Sequence, residues 1–130
     1  MSAPAVRLAF FKLNTPDMAA ALKFYEGVFG FAVVQTFDED DFIEHIMALP
    51  GQENGPNLLL VQYKDGREIA SGSAHGPVGF MTEDIDAMFG RAVAAGANPI
   101  VPVFDMGGVK VGIFLDPDGH EIELVQLPPA

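Results

Sequence analysis

The sequence predicts an α+β fold: two βαβββ modules, paired into a curved mixed sheet with a concave cavity. Three observations predict it. Two amphipathic helix patterns occur, each introduced by a short apolar strand. Each is followed by three β-rich segments bounded by turn residues. The two halves also repeat one another, since a shift of 67 positions carries Thr15-Pro16-Asp17 onto Thr82-Glu83-Asp84 and Met18, Ala21, Leu22, Tyr25 and Val28 onto Ile85, Met88, Phe89, Ala92 and Ala95. The chain then reads as one domain, residues 1–130, with repeats at about 6–63 and 76–127 and a polar, glycine-containing connector at 64–75.

Arg7 to Asn14 alternates with an apolar bias and predicts the first strand. Thr15 is the expected N-cap of the helix that follows, with Pro16 at its first position and Asp17 at the favourable end of its dipole. The apolar face of that helix, Met18, Ala21, Leu22, Tyr25, Val28 and Phe29, is ended by Gly30. Strands are expected at Ala32 to Phe37, Phe42 to Leu49 and Asn57 to Tyr63, separated by the acidic run Asp38 to Asp41 and by the loop Pro50 to Pro56. In the second half Val78 to Met81 is a strand, Thr82 the expected cap and Gly96 the helix stop. Strands at Pro99 to Phe104 and Lys110 to Leu115 are joined through Asp105-Met106-Gly107-Gly108. The last element is the turn Asp116-Pro117-Asp118-Gly119 with the strand Glu121 to Leu127, where Pro117 presets φ, Gly119 takes the left-handed position and Asp116 caps the turn.

Composition narrows the function. A hydrophobic fraction of 49% with eleven Phe supplies a core without staples, and the absence of Cys excludes disulfides, thiol catalysis and thiolate metal sites. A net charge of -11 with seven Lys plus Arg argues against nucleic acid and anionic membrane as partners. Small molecules, cations and other proteins remain. The start Met1-Ser2-Ala3-Pro4 lacks a basic region and an apolar core, and no apolar run approaches a membrane span, so a soluble cytoplasmic protein is expected.

Two motifs carry a family resemblance. Asp17 to Tyr25 with Val28-Phe29-Gly30-Phe31, and Asp116-Pro117-Asp118-Gly119-His120-Glu121-Ile122-Glu123-Leu124, resemble the vicinal oxygen chelate superfamily of glyoxalases, bleomycin-resistance proteins and extradiol dioxygenases. The resemblance implies the glyoxalase-like paired βαβββ fold and a homodimer. It also implies four metal-ligand positions in the members that use a metal, one on the first and one on the last strand of each half. Here those positions fall on Phe10, Leu59 or a neighbour, Pro77 and Glu123. Phe, Leu and Pro side chains have no lone pair for a divalent ion, and only Glu123 has the right chemistry. No cofactor is therefore predicted, and a divalent metal held by Glu123, His75 and His45 is the alternative.

Strand alternation assigns the remaining site candidates. Leu8, Phe10, Lys12 and Asn14 are expected to face the cavity, with Phe11 and Leu13 against the helix. Gly79 and Met81 face it from the second half, with Val78 and Phe80 inward. Pro77, Leu59, Val61, Tyr63 and Val125 complete the ligand-binding set, and Met47, Met81, Phe104 and Met106 read either as an adaptable apolar wall or as ordinary core. Lys12 and Glu123 are the catalytic candidates: as a shared pocket pair, Lys12 would bind a carboxylate or carbonyl oxygen while Glu123 acts as base. The plainer alternative puts Lys12 at the wet end of its strand and Glu123 on a solvated face. His45 is read as packing on the sheet, His75 and His120 as surface residues, and Asp38 to Asp41 as a solvated hairpin tip without the spacing of a calcium loop. Three functions fit. The chain binds a small, partly apolar organic ligand without the usual metal site, or is a lactoylglutathione lyase-like enzyme with alternative ligands, or sequesters a drug.

Overall fold

In the computed structural model, residues 4–70 and 72–130 are described; the leader reading of Met1 to Ala3 and Ser71 of the connector lie outside them. The elements run β1 (Phe10–Asn14), α1 (Met18–Phe29), β2 (Ala32–Asp38), β3 (Phe42–Ala48), β4 (Asn57–Tyr63), β5 (Val78–Met81), α2 (Ile85–Ala94), β6 (Asn98–Met106), β7 (Val109–Leu115) and β8 (Glu121–Gln126). They form two four-stranded sheets, ordered β1-β4-β3-β2 and β5-β8-β7-β6. In each, the first strand pairs in parallel with the last, and the remaining pairs are antiparallel. The repeat is kept in register, with Lys12 opposite Leu59 and Gly79 opposite Glu123.

The helix caps differ from expectation by two residues. Asp17 and Asp84 are the N-caps, their carboxylates accepting from the backbone N–H groups of Ala20 and Ala87, each at 3.1 Å. Thr15 and Thr82 close the turn before the cap instead, their hydroxyls accepting from the N–H groups of Asp17 and Asp84 at 3.1 and 3.2 Å. Aspartate matches threonine as a cap and brings a charge suited to the helix dipole, so the later residue prevails. A second donor in each first turn is satisfied from the last strand of the same half. The side-chain oxygen of Gln62 accepts from Met18 N–H, and that of Gln126 from Ile85 N–H, both at 2.8 Å. Gly30 ends α1 at φ 81°, as expected.

One core joins the two halves. Met47, Leu58 and Leu60 of the first sheet and Phe114, Ile122 and Leu124 of the second face the helices in a single buried cluster. Phe24 belongs to it although it lies off the predicted stripe of α1, because α1 also packs on the other half: its ring meets Phe114 at 6.3 Å. Phe29 stacks on Phe80 at 4.2 Å across the same junction. Gly112 makes room beneath α2, since a Cβ there would lie 3.0 Å from Phe89 and 3.1 Å from Val103. Phe11, expected against the helix, is 45% exposed, and Ala97 is buried where Ala95 was expected to be. No helix among the described residues is long and apolar enough to cross a membrane.

Polar bonds clasp the halves as well. Tyr25 on α1 donates its phenol O–H to Asp116 Oδ2 at 2.5 Å, and the other oxygen of Asp116 accepts from the N–H groups of Asp118 and His120 at 2.9 Å. His120 Nε2 then donates to the carbonyl of Asn14 at 2.7 Å, so the residue read as a surface histidine ties β8 to the end of β1. Arg91 adds two bonds to the carbonyl of Gly27, at 3.0 and 2.8 Å. Burial, and then the carboxylate of Asp116, hold the Tyr25 phenol far above its ordinary pKa, so it stays a donor. Tyr25→Phe leaves a buried carboxylate oxygen without its donor and is expected to cost about 1–3 kcal/mol in urea unfolding with an unchanged m-value.

Candidate functional site

Alternation along β4 and β8 separates two faces. Leu58, Leu60, Ile122 and Leu124 enter the core, so Asn57, Leu59, Val61 and Tyr63, and likewise Glu123 and Val125, point to the far face of their sheets. Phe10, Lys12 and Asn14 on β1 share the first far face, and Gly79 and Met81 on β5 share the second. Pro77 immediately precedes β5 and is half-buried. The ten predicted site residues therefore fall in two sets, six on the first sheet and four at the second.

Lys12 finds a partner other than the one expected. Its ammonium lies 2.8 Å from Glu44 Oε2, two strands away on β3, and 5.5 Å from the ring centroid of Phe10. To reach Glu44 the lysine crosses β4, on whose same face Leu59 and Val61 are 5% and 3% exposed. Of the neighbours Glu44 and His45 it is Glu44 that faces the far side, being paired with Val61. Glu123 lies on the other sheet, half-buried between Gly79 and Ile113, and among the described residues no cation comes within ion-pair distance of it. The Lys12 to Glu123 pair is thus replaced by Lys12 to Glu44, and Glu123 stands alone.

The histidines do not assemble with Glu123. His45 is on the core-side face, its Nδ1 2.8 Å from Thr36 Oγ1, and His75 is exposed ahead of Pro77. The one group of three potential ligands that the described residues bring within 4.8 Å is Asp116, Asp118 and His120. Its oxygens and nitrogen are already engaged: Asp116 accepts three hydrogen bonds and His120 Nε2 donates to Asn14. Burial raises the Asp118 carboxyl above its ordinary value, opposed by a hydrogen bond from Thr15 and aided by the charge of Asp116. Within this cluster Asp116 and His120 act as a structural clasp.

Two clefts lie at corresponding ends of the far faces. The first, about 420 Å³, is bordered by Phe42, Tyr63, Asp40, Asp41, Asp65, Lys64 and Arg67. In it the Arg67 guanidinium sits 3.8 Å above the Tyr63 ring, held by the carboxylate of Asp65 at 2.6 Å. Lys64 pairs with Asp38 at 2.6 Å, consistent with a solvated hairpin tip. The second, about 690 Å³, is bordered by Met81, Leu127, Pro128 and Pro129 with Gln52, Thr82, Glu83 and Gln126. Leu127 is the repeat counterpart of Tyr63, so one end is ionic and the other apolar. Neither cleft is bordered by Lys12 or Glu123.

Two outcomes follow from these charges. In a double-mutant cycle on Lys12→Met and Glu44→Gln, the coupling is expected at about 0.5–1 kcal/mol, modest because the lysine is 46% exposed, and to shrink in salt. For Asp118, a folded-state pKa above the unfolded value means the folded state holds the proton more tightly, so stability falls as pH rises through that interval. Asp118→Asn removes this slope, and thermal melts across the acidic range are expected to show the variant gaining on the wild type as pH rises.

Comparison with known proteins agrees with this architecture. A family model described as the Glyoxalase/Bleomycin resistance protein/Dioxygenase superfamily matches residues 7–124. A lactoylglutathione lyase of Haemophilus influenzae is 28% identical over 119 residues, covering 88% of this chain and 87% of that protein. Glyoxalase I from Zea mays superposes with a TM-score of 0.83 at 22% identity, over 92% of this chain but only 45% of the maize chain, so this chain spans about half its length. TnmS3, an antibiotic binding protein from Streptomyces sp. CB03234, superposes with a TM-score of 0.74 at 24% identity over 97% of this chain and 99% of its own. At those structural identities the likeness is one of fold. With a family model spanning nearly the whole sequence and the paired βαβββ sheets in register, the chain belongs to the glyoxalase/bleomycin resistance protein/dioxygenase superfamily.

Proposed function

We propose that this protein binds a small, partly apolar organic ligand against the far faces of its sheets, without the metal centre of the superfamily's metal-using members. One observation carries the reading. The four positions at which a metal would be held are Phe10, Leu59, Pro77 and Glu123, and three of them offer no lone pair. The residues do not fit the ion, so no step is routed through one. What the faces do offer suits an organic molecule: Phe10, Met81 and Val125 are apolar and at least partly exposed, Asn14 and Tyr63 supply polar edges, and a cleft of about 690 Å³ lies within the size range of ligand pockets. The antibiotic-binding neighbour supports a drug-like ligand, and a net charge of -11 would favour a cationic one.

A homodimer belongs to the same proposal. Phe10, Met81, Phe104 and Met106 are 47%, 69%, 45% and 59% exposed, more apolar surface than a sheet usually leaves in water. A second copy would cover it and close the far faces from outside.

The second reading, a lactoylglutathione lyase-like enzyme, is favoured by the Haemophilus relative and by Glu123, a half-buried mid-strand carboxylate that forms no ion pair among the described residues. Here Glu123 would move the substrate proton, while Lys12, committed to Glu44, would take no part. Protein purified without chelator is expected to carry less than stoichiometric nickel, zinc, iron or manganese by elemental analysis. Its turnover of glutathione hemithioacetal is expected not to exceed that of Glu123→Gln. Stoichiometric metal with turnover abolished by Glu123→Gln would replace the binding reading with the lyase one. Light scattering of the same preparation is expected to give twice the chain mass.

A further inference from the structure

The cleft at the end of the second far face gathers groups that the fold itself leaves unused. Met81 and Leu127 both border it and are 69% and 51% exposed. Pro128 beside them is steadied by the turn between β6 and β7, where a Cβ on Gly108 would lie 3.5 Å from its ring. Gln52 joins from the loop between β3 and β4, so both halves of the chain border the cleft. Large apolar side chains left open to water in one cleft favour an apolar occupant.

Two polar groups of the cleft are also free. Gln126 Oε1 accepts from Ile85 N–H at 2.8 Å, which fixes the two ends of the amide. In the first half the matching Gln62 uses its nitrogen as well, Nε2 donating to the carbonyl of Pro16 at 2.9 Å. The repeat carries Pro16 onto Glu83, yet among the described residues Gln126 Nε2 donates to no acceptor, and its N–H groups are left for another partner. Glu83 is exposed, forms no ion pair among the described residues and is the one ionisable side chain bordering this cleft. The first cleft, by contrast, holds Lys64 and Arg67. With no basic side chain at its border and a net charge of -11 around it, the second cleft attracts positive charge.

Building on the small-molecule reading above, we infer that this cleft is the ligand site and that it takes an organic cation with an apolar ring body and a hydrogen-bond acceptor. The cation pairs with the Glu83 carboxylate, the body lies on Met81, Leu127 and Pro128, and Gln126 Nε2 donates to a carbonyl or hydroxyl oxygen of the ligand. Because Glu83 stands in water, its pair adds modest affinity that weakens in salt, and the choice among cations falls to Gln126.

Naphthylmethylammonium and naphthylmethanol share a body and differ in charge. Followed through the NMR signals of Met81 and Leu127, the ammonium is expected to bind the wild type roughly threefold tighter than the alcohol at low salt, and Glu83→Gln to bind the two alike. The acetyl derivative of the ammonium is expected to bind roughly fivefold tighter than the ethyl derivative, which has a similar shape and no acceptor. Gln126→Glu removes that preference while keeping an oxygen for Ile85 N–H, and its binding of the ethyl derivative, which does not use the amide, reports that the variant is folded. Preferences that survive Glu83→Gln or Gln126→Glu overturn the inference. Shifts confined to Phe10, Asn14 and Tyr63 also overturn it and leave the binding reading standing. A wild type in which no probe moves a signal on either far face removes the binding reading itself, and this site with it.

Discussion

The hydrogen bond from Tyr25 to Asp116 sets the relation between the two halves of this protein. Asp116 is buried, and a buried carboxylate is tolerated only when its lone pairs are used. Two backbone N–H groups of its own turn take one oxygen and the tyrosine of the other half takes the second. The same residue therefore shapes the β7 to β8 hairpin and fastens it to α1. His120 leaves that turn to hold the end of β1, so the strand carrying Lys12 and the strand carrying Glu123 are positioned from one anchor. What has the residue types of a metal site is the joint of the molecule.

The parts of the fold that were legible in the sequence are those decided by local pattern. Helix spacing, the glycine at the end of α1 and the period-two strands are written into neighbouring residues, and the repeat checks each half against the other. What escaped depended on reach across the chain. Phe24 lies off the helical stripe because its burial comes from Phe114 in the other half. The His120 role needs the carbonyl of Asn14, 106 residues away. Alternation put Lys12 on the far face but could not show which acid it meets, since Glu44 reaches it from two strands away across β4.

Within a symmetric frame the two far faces have grown unlike. The first carries a lysine to glutamate pair and a Tyr63 already covered by Arg67, while the second carries a lone Glu123 and an apolar cleft around Met81 and Leu127. The ion pair joins β1 to β3 across β4, on the face where Leu59 and Val61 are buried, and a polar contact is stronger where water is excluded. Specificity in such a site comes from a few oriented polar groups against an apolar ground, and the first face has that composition.

The glutamines at the ends of β4 and β8 have a consequence beyond local capping. Each closes the first turn of the helix in its own half, so neither helix borrows a hydrogen bond from the other half to begin. Each βαβββ unit is thus self-sufficient at its most demanding end. A gene encoding one such unit could be duplicated, or its product traded between two chains, without stranding a helix terminus. What would have to form again are the bonds between halves, from Tyr25 to Asp116, from His120 to Asn14 and from Arg91 to Gly27.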